Sequence, residues 1–255
     1  MIARFLAVLL LASAWAGHAD SSVDKIEVTG PRFSGYWNVV GPNLIEFKLG
    51  LLSGINIIYS GETVVRDICL IQRTEHGFVT ICSAGSASAG GGSLARDEVR
   101  LSWSNGPAEL IFTGHWDEND TIAGAFSGGL AGMRVTGHIP ATLHKLEPAS
   151  APDGGAHAAV LREVLNDLRQ GVLVRQRYEP GAIKRVWRAE QWREAKDAVG
   201  SVNYLGVIHV HWQKKQPELL EEVYEVRSGN RLSLCRISFS EHGLVNDFAC
   251  HDGNG

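Results

Sequence analysis

The sequence has 255 residues, of which 44% are hydrophobic and 20% charged, with a formal net charge of −4. That balance supports a packed core and excludes wholesale disorder. No basic face of the kind a nucleic-acid partner needs is evident, so no nucleic-acid partner is expected.

The first element in chain order is an export signal. Met1-Ile2-Ala3-Arg4 carries one positive charge, and an apolar run comes next over 5–16. Small residues at Gly17 and Ala19 suit signal peptidase, so residues 1–19 are expected to be removed by cleavage after Ala19, with Ala16 as the second choice. The apolar run is about twelve residues long, short of the roughly 20 that a spanning helix needs, and no permanent membrane anchor is expected. No cysteine lies near the cleavage site, which closes the lipoprotein route. The mature chain, roughly 236 residues, is therefore expected in the periplasm or outside the cell, and its length suits two modest domains or one large one.

Residues 20–147 read as β throughout. Short runs rich in Val, Ile, Leu, Phe and Trp recur at 35–40, 44–51, 56–59, 63–72, 78–82, 99–103, 110–116, 121–126 and 133–139, with turn residues between them. Asn105-Gly106 is a strong hairpin turn. Eight to ten antiparallel strands must hide their edges by closure or stacking, so this domain is expected to be a barrel or sandwich, the barrel being favoured. The series Phe112, Gly114, Ile122, Gly124 and Phe126, continuing over 136–143, resembles the closing strands of lipocalin-like (calycin) barrels.

Proline, glycine and small residues concentrate at 148–155, which reads as a linker. Charge changes there as well. Residues 20–150 hold 9 basic and 14 acidic side chains, whereas 151–255 hold 14 of each.

Residues 156–255 are expected to form an α+β domain with helices packed on an antiparallel sheet. Residues 157–170 are amphipathic, with Val160, Leu161, Val164, Leu165 and Leu168 on one stripe and Gly171 as a stop. A second helix is expected over 186–198. Strands are expected after it at 201–212, 219–226, 232–239 and 244–250. The leading helix, Gln191-Trp192-Arg193-Glu194 before Gly200, and the strands ending in 243–248 resemble small bacterial export domains with a cystatin-like or nuclear-transport-factor-like fold. That resemblance implies a helix lying across a curved sheet, often with a pocket between them. The family has no single activity, so it supplies no catalytic residue.

All four cysteines, Cys69, Cys82, Cys235 and Cys250, lie beyond the signal. An even number in an exported chain reads as disulfides, with four reduced thiols as the alternative. A four-residue loop at 74–77 places Cys69 opposite Cys82, and a two-residue turn at His242-Gly243 places Cys235 opposite Cys250, close enough to bridge. The two hairpins share Cys, Ile, Glu-His-Gly and Val in register, which reads as common hairpin grammar.

No catalytic or metal signature stands out. His209 and His211 alternate on a strand and would grip one ion if His251 or Glu225 supplied a third ligand, but solvent-facing histidines are the simpler reading. Ser127 lies in a degenerate nucleophile elbow that leads into more β pattern rather than a helix. The glycine-rich run 83–93 lacks both phosphate-binding fingerprints. No cofactor is expected.

The function expected is an exported envelope or extracellular binding or interaction protein, its partner an unidentified small molecule or protein. A hydrolase or isomerase with its site in the second domain is one alternative, which an Asp or Glu paired with His there would favour. An inhibitor or immunity protein against a secreted partner is the other. Contact is expected between the leading helix and the inner sheet face, at Tyr204, Trp212 and Tyr224, whose polar tips are costly to bury. Alternation over 201–212 puts Tyr204, Ile208, Val210 and Trp212 together on that face. A fully packed core with tyrosine hydroxyls reaching the surface is the competing reading.

Overall fold

The computed structural model describes residues 33–50, 54–74, 77–83, 92–95, 98–105, 108–117, 120–130, 133–134, 138–147, 157–183, 197–210 and 219–252. The export signal over 1–19, the joining segment 148–155, Trp212, His211 and nearly all of the helix expected over 186–198 fall outside these residues.

The first half forms one antiparallel sheet. Its strands are β1 (Gly35–Gly50), β2 (Gly54–Thr74), β3 (Gly77–Cys82), β4 (Gly92–Ala95), β5 (Glu98–Asn105), β6 (Ala108–Trp116), β7 (Thr121–Leu130), β8 (Met133–Arg134) and β9 (Ile139–Leu146). Their order is β3-β2-β1-β9-β7-β6-β5-β4, with β8 paired to β7. The sheet curls into half a barrel, and β3 and β4 stand at the two ends of its order. The sequence suggests four short strands over 35–72, whereas β1 and β2 run through with register shifts at Val39/Val40, Pro42/Leu44 and Leu44/Glu46. Pro42 lacks a donor, so the ladder bulges around it instead of ending.

In the second half, α1 (Ala158–Arg169) precedes β10 (Val202–Val210), β11 (Leu219–Ser228), β12 (Arg231–Phe239) and β13 (Val245–Asp252), which pair antiparallel in that order. Leu161, Val164, Leu165 and Leu168 form the buried stripe of α1. The helix ends as its pattern requires. Gly171 takes φ +70°, its N–H bonds Leu168 O at 3.0 Å, and the Val172 N–H bonds Asp167 O at 2.8 Å. That is a Schellman stop, which needs the left-handed residue glycine supplies.

These elements overturn the expected fold class. The molecule is mostly β, and α1 is the one α-helix of substantial length among the described residues, so the second half is not an α+β domain of packed helices. The reason lies in how the second sheet covers its faces. On one side Tyr224, Val226, Cys235, Ile237, Phe248 and Cys250 pack with α1. On the other, Leu205, Ile208, Val223 and Leu234 pack with Ile68, Leu70 and Ile81 of the first sheet. A sheet thus takes the place of further helices.

Period two explains β2 in the same way. Ile68 and Leu70 face the second sheet, while Cys69 and Ile71 face the core inside the curl with Trp37, Phe112, Ile122 and Leu143. Both faces are buried over 68–71, so that stretch reads as an unbroken apolar run.

Both disulfides, Cys69–Cys82 and Cys235–Cys250, are formed, and each joins directly opposed residues. The turns differ from those expected. In the first hairpin Thr74 pairs with Gly77, which leaves a two-residue loop. In the second, five residues intervene between Phe239 and Val245, and a register shift after Ser238 restores the opposition of the cysteines.

Candidate functional site

The N-terminal end of α1 meets β11 in a hydrogen-bonded chain of polar side chains. His157 caps the helix without using its side chain on the helix. Its Nδ1 instead lies 2.8 Å from Glu222 Oε1. The Tyr224 hydroxyl donates to Glu222 Oε2 and accepts the backbone N–H of His157, one of the helix's unsatisfied donors. The His157 ring stacks on Phe239 with centroids 4.0 Å apart and planes at 28°. The Tyr204 ring meets Tyr224 edge-on at 5.5 Å.

Burial grades across this chain. Tyr224 is 0% exposed, whereas the side chains of Glu222 and His157 are 21% and 37% exposed. Burial first, then the hydrogen bond to Glu222, holds the Tyr224 phenol far above its ordinary value. Burial also raises Tyr204, with the Glu222 charge adding to it. Both phenols therefore stay protonated at any ordinary pH, and Tyr224 serves as a donor.

Beyond the helix the same sheet face opens. Val207 pairs with Glu222, and His209 with Leu220, so all four side chains lie on the face of Tyr224. Val207 and Leu220 are among the few large apolar side chains exposed among the described residues. Tyr204 and Tyr224 thus come together where the sequence places them, and Trp212 lies outside the described residues.

One expectation about this face is wrong. Simple alternation puts Tyr204, Ile208 and Val210 on one side of the strand. A bulge between Tyr204 and Gly206 sets Leu205 and Gly206 against Val223 and reverses the alternation. Tyr204 faces α1, whereas Ile208 and Val210 face the first sheet.

Sequence reasoning misses Glu222, His157 and Phe239. A signal exists for Glu222, because it shares the parity of Tyr224 and Val226 in an otherwise apolar set. Nothing local marks His157 or Phe239, which reach the site from other elements.

The opposite face of the second sheet holds a separate polar cluster. Glu221 and Arg236 form a buried ion pair, and His251 lies close by on β13. Glu225 is bonded by Arg227 at 2.6 Å and by Asn203 at 3.4 Å. The metal set suggested by sequence does not assemble, because His209 lies on the helix-side face and Glu225 and His251 on the other. Among the described residues the acidic, His and Cys ligand atoms that converge are those of Asp67, Cys69 and Cys82, and both sulfurs are held in the disulfide.

An apolar cavity of about 130 Å³ in the first sheet is lined by Val39, Pro42, Phe126, Ile139 and Ala141 with Arg66 at its edge. Arg66 is committed to Pro42 O at 2.7 Å and Asn43 Oδ1 at 3.0 Å. Ser127 lies within β7, not at a strand-to-helix turn.

No protein-family model matches the chain, and no curated protein or solved structure matches it either.

Proposed function

We propose that the chain is an exported binding protein and that its ligand sits at the open end of the helix-covered face, between the start of α1 and strands β10 and β11. The observation that carries this reading is the composition of that end. A hydrogen-bonded polar chain, His157–Glu222–Tyr224, borders Tyr204, Phe239 and the exposed Val207 and Leu220. Sites for small ligands combine apolar walls with a few fixed polar groups in this way. Two disulfides suit an oxidising compartment, periplasmic or extracellular, and no helix among the described residues is long and apolar enough to cross a membrane.

An NMR fragment screen on the mature chain tests the site. Perturbed resonances should converge on Tyr204, Val207, Leu220 and Phe239. Convergence on the Arg66 and Pro42 cavity, or on neither, would overturn the reading. Export is tested by intact mass, which should place the mature amino terminus at Asp20.

One observation favours a second reading, a hydrolase or isomerase. A carboxylate orienting an imidazole, as Glu222 orients His157 at 2.8 Å, is an arrangement general acid–base catalysis uses. Turnover of activated esters that Glu222→Gln abolishes would decide for it.

A further inference from the structure

We propose that Nε2 of His157 is the hydrogen-bond acceptor of this site and that the ligand is an apolar compound carrying a hydroxyl group. The inference rests on the binding site proposed above. Its basis is the way each polar atom there is used.

An ionised carboxylate only accepts hydrogen bonds, so the 2.8 Å contact with Glu222 Oε1 requires the proton on Nδ1. In the neutral imidazole Nε2 then carries the lone pair, and the carboxylate fixes this tautomer as well as the ring orientation. Two further contacts hold the arrangement. Tyr224 ties down the second carboxylate oxygen, and Phe239 stacks on the imidazole. Among the described residues no hydrogen bond reaches Nε2, while the side chain is 37% exposed. The site therefore offers an oriented acceptor and calls for a donor.

Val207 and Leu220 offer no polar partner, so the donor belongs on an otherwise apolar body. A hydroxyl supplies that donor and loses less hydration there than a charged group. Val207, 39% exposed, and Leu220, 56% exposed, lie on the same face and suit an apolar body.

The test compares para-propylphenol with para-propylanisole, which share a ring and chain but differ in the hydroxyl hydrogen. Each is titrated into the mature chain by NMR. The phenol should bind about tenfold or more tightly than the ether. His157→Phe, which keeps a ring on Phe239 but removes the acceptor, should bring the two affinities together. Equal binding to the native chain, or a preference that survives His157→Phe, overturns the inference and leaves the site standing. If neither compound perturbs Tyr204, Val207 or Leu220, the site itself falls and the inference with it. A measurement that needs no variant is the imidazole nitrogen shifts of the free protein. They should show the Nδ1–H tautomer, and an Nε2–H tautomer would also overturn the inference.

Discussion

The Tyr224 hydroxyl stands between the backbone N–H at the start of α1 and the carboxylate of β11, so one oxygen ties helix to sheet. Tyr224→Phe keeps the ring in its apolar surroundings and removes both bonds, one of them to the Glu222 carboxylate. The expected loss is about 1–3 kcal/mol of unfolding free energy, read from urea titration. A midpoint that does not move would show that the helix is held by its apolar stripe alone. On the opposite sheet face, His251 responds to pH. Burial, then the nearby Arg236 guanidinium, holds its imidazolium below the ordinary 6.5, with Asp252 opposing them. Asp252 is itself paired with Arg231, and Arg236 with Glu221, while Leu234 lies across the ladder. The unfolded chain therefore takes up a proton that the folded chain resists. The stability His251 contributes is fully present above 6.5 and is lost as pH falls below it. Melting temperature measured against pH should decline less steeply below that point in His251→Gln, and parallel curves for the two proteins would refute the linkage.

Among the elements, β10 decides which residues reach the site. Gly206 sits in its bulge at φ +152°, where a side chain is strained, and a Cβ there would lie 3.3 Å from Ile68 Cδ1 of β2. Gly206→Val should cost about 1–3 kcal/mol through backbone strain and overlap with β2. It should also shift the resonances of Tyr204, because relieving the strain means moving the bulge. Wild-type stability with unmoved Tyr204 signals would show that the bulge is not set by this glycine. Period-two reading of β11 assigns Tyr224 correctly because that strand pairs with β12 without a register shift. The same reading fails on β10, where one added residue sends Ile208 and Val210 to the other face. The bulge packs on Ile68, in a distant part of the chain, and no local pattern in 201–212 announces it.

At the scale of the whole molecule, three layers stack: the half-barrel, the second sheet and α1. Ile68, Leu70 and Ile81 share a buried cluster with Leu205, Ile208, Val223 and Leu234. That shared cluster couples the halves. Ile68 is 0% exposed, so Ile68→Ala should cost about 2–5 kcal/mol. Native-state hydrogen exchange should show the protection of β2 and β11 falling together in this variant. A loss confined to β2 would mean that the two sheets unfold independently. The disulfides do not provide the coupling, since each spans a single hairpin, with separations of 13 and 15 residues. A protease cut within 148–155 should thus yield two fragments that separate on a non-reducing denaturing gel. The same fragments should co-elute under native conditions through the Ile68 cluster, and fragments that stay covalently joined would contradict the disulfides.

The sequence by itself determined whatever rests on neighbours in the chain. The amphipathic stripe and Gly171 define α1 and its stop, alternation defines most strands, and hairpin register sets both cysteine pairings even though the turns differ from those the spacing suggests. Tyr204 and Tyr224 are legible as neighbours because adjacent strands of one hairpin bring them together. Tertiary structure alone decided the rest. The second sheet buries its other face against the first sheet, which is why a mostly β molecule stands where packed helices were expected. His157, Glu222 and Phe239 come together only when the start of α1, β11 and β12 converge. A hydrogen bond between residues 65 positions apart leaves no periodicity to read, because it depends on where whole elements pack and not on the spacing of residues within them.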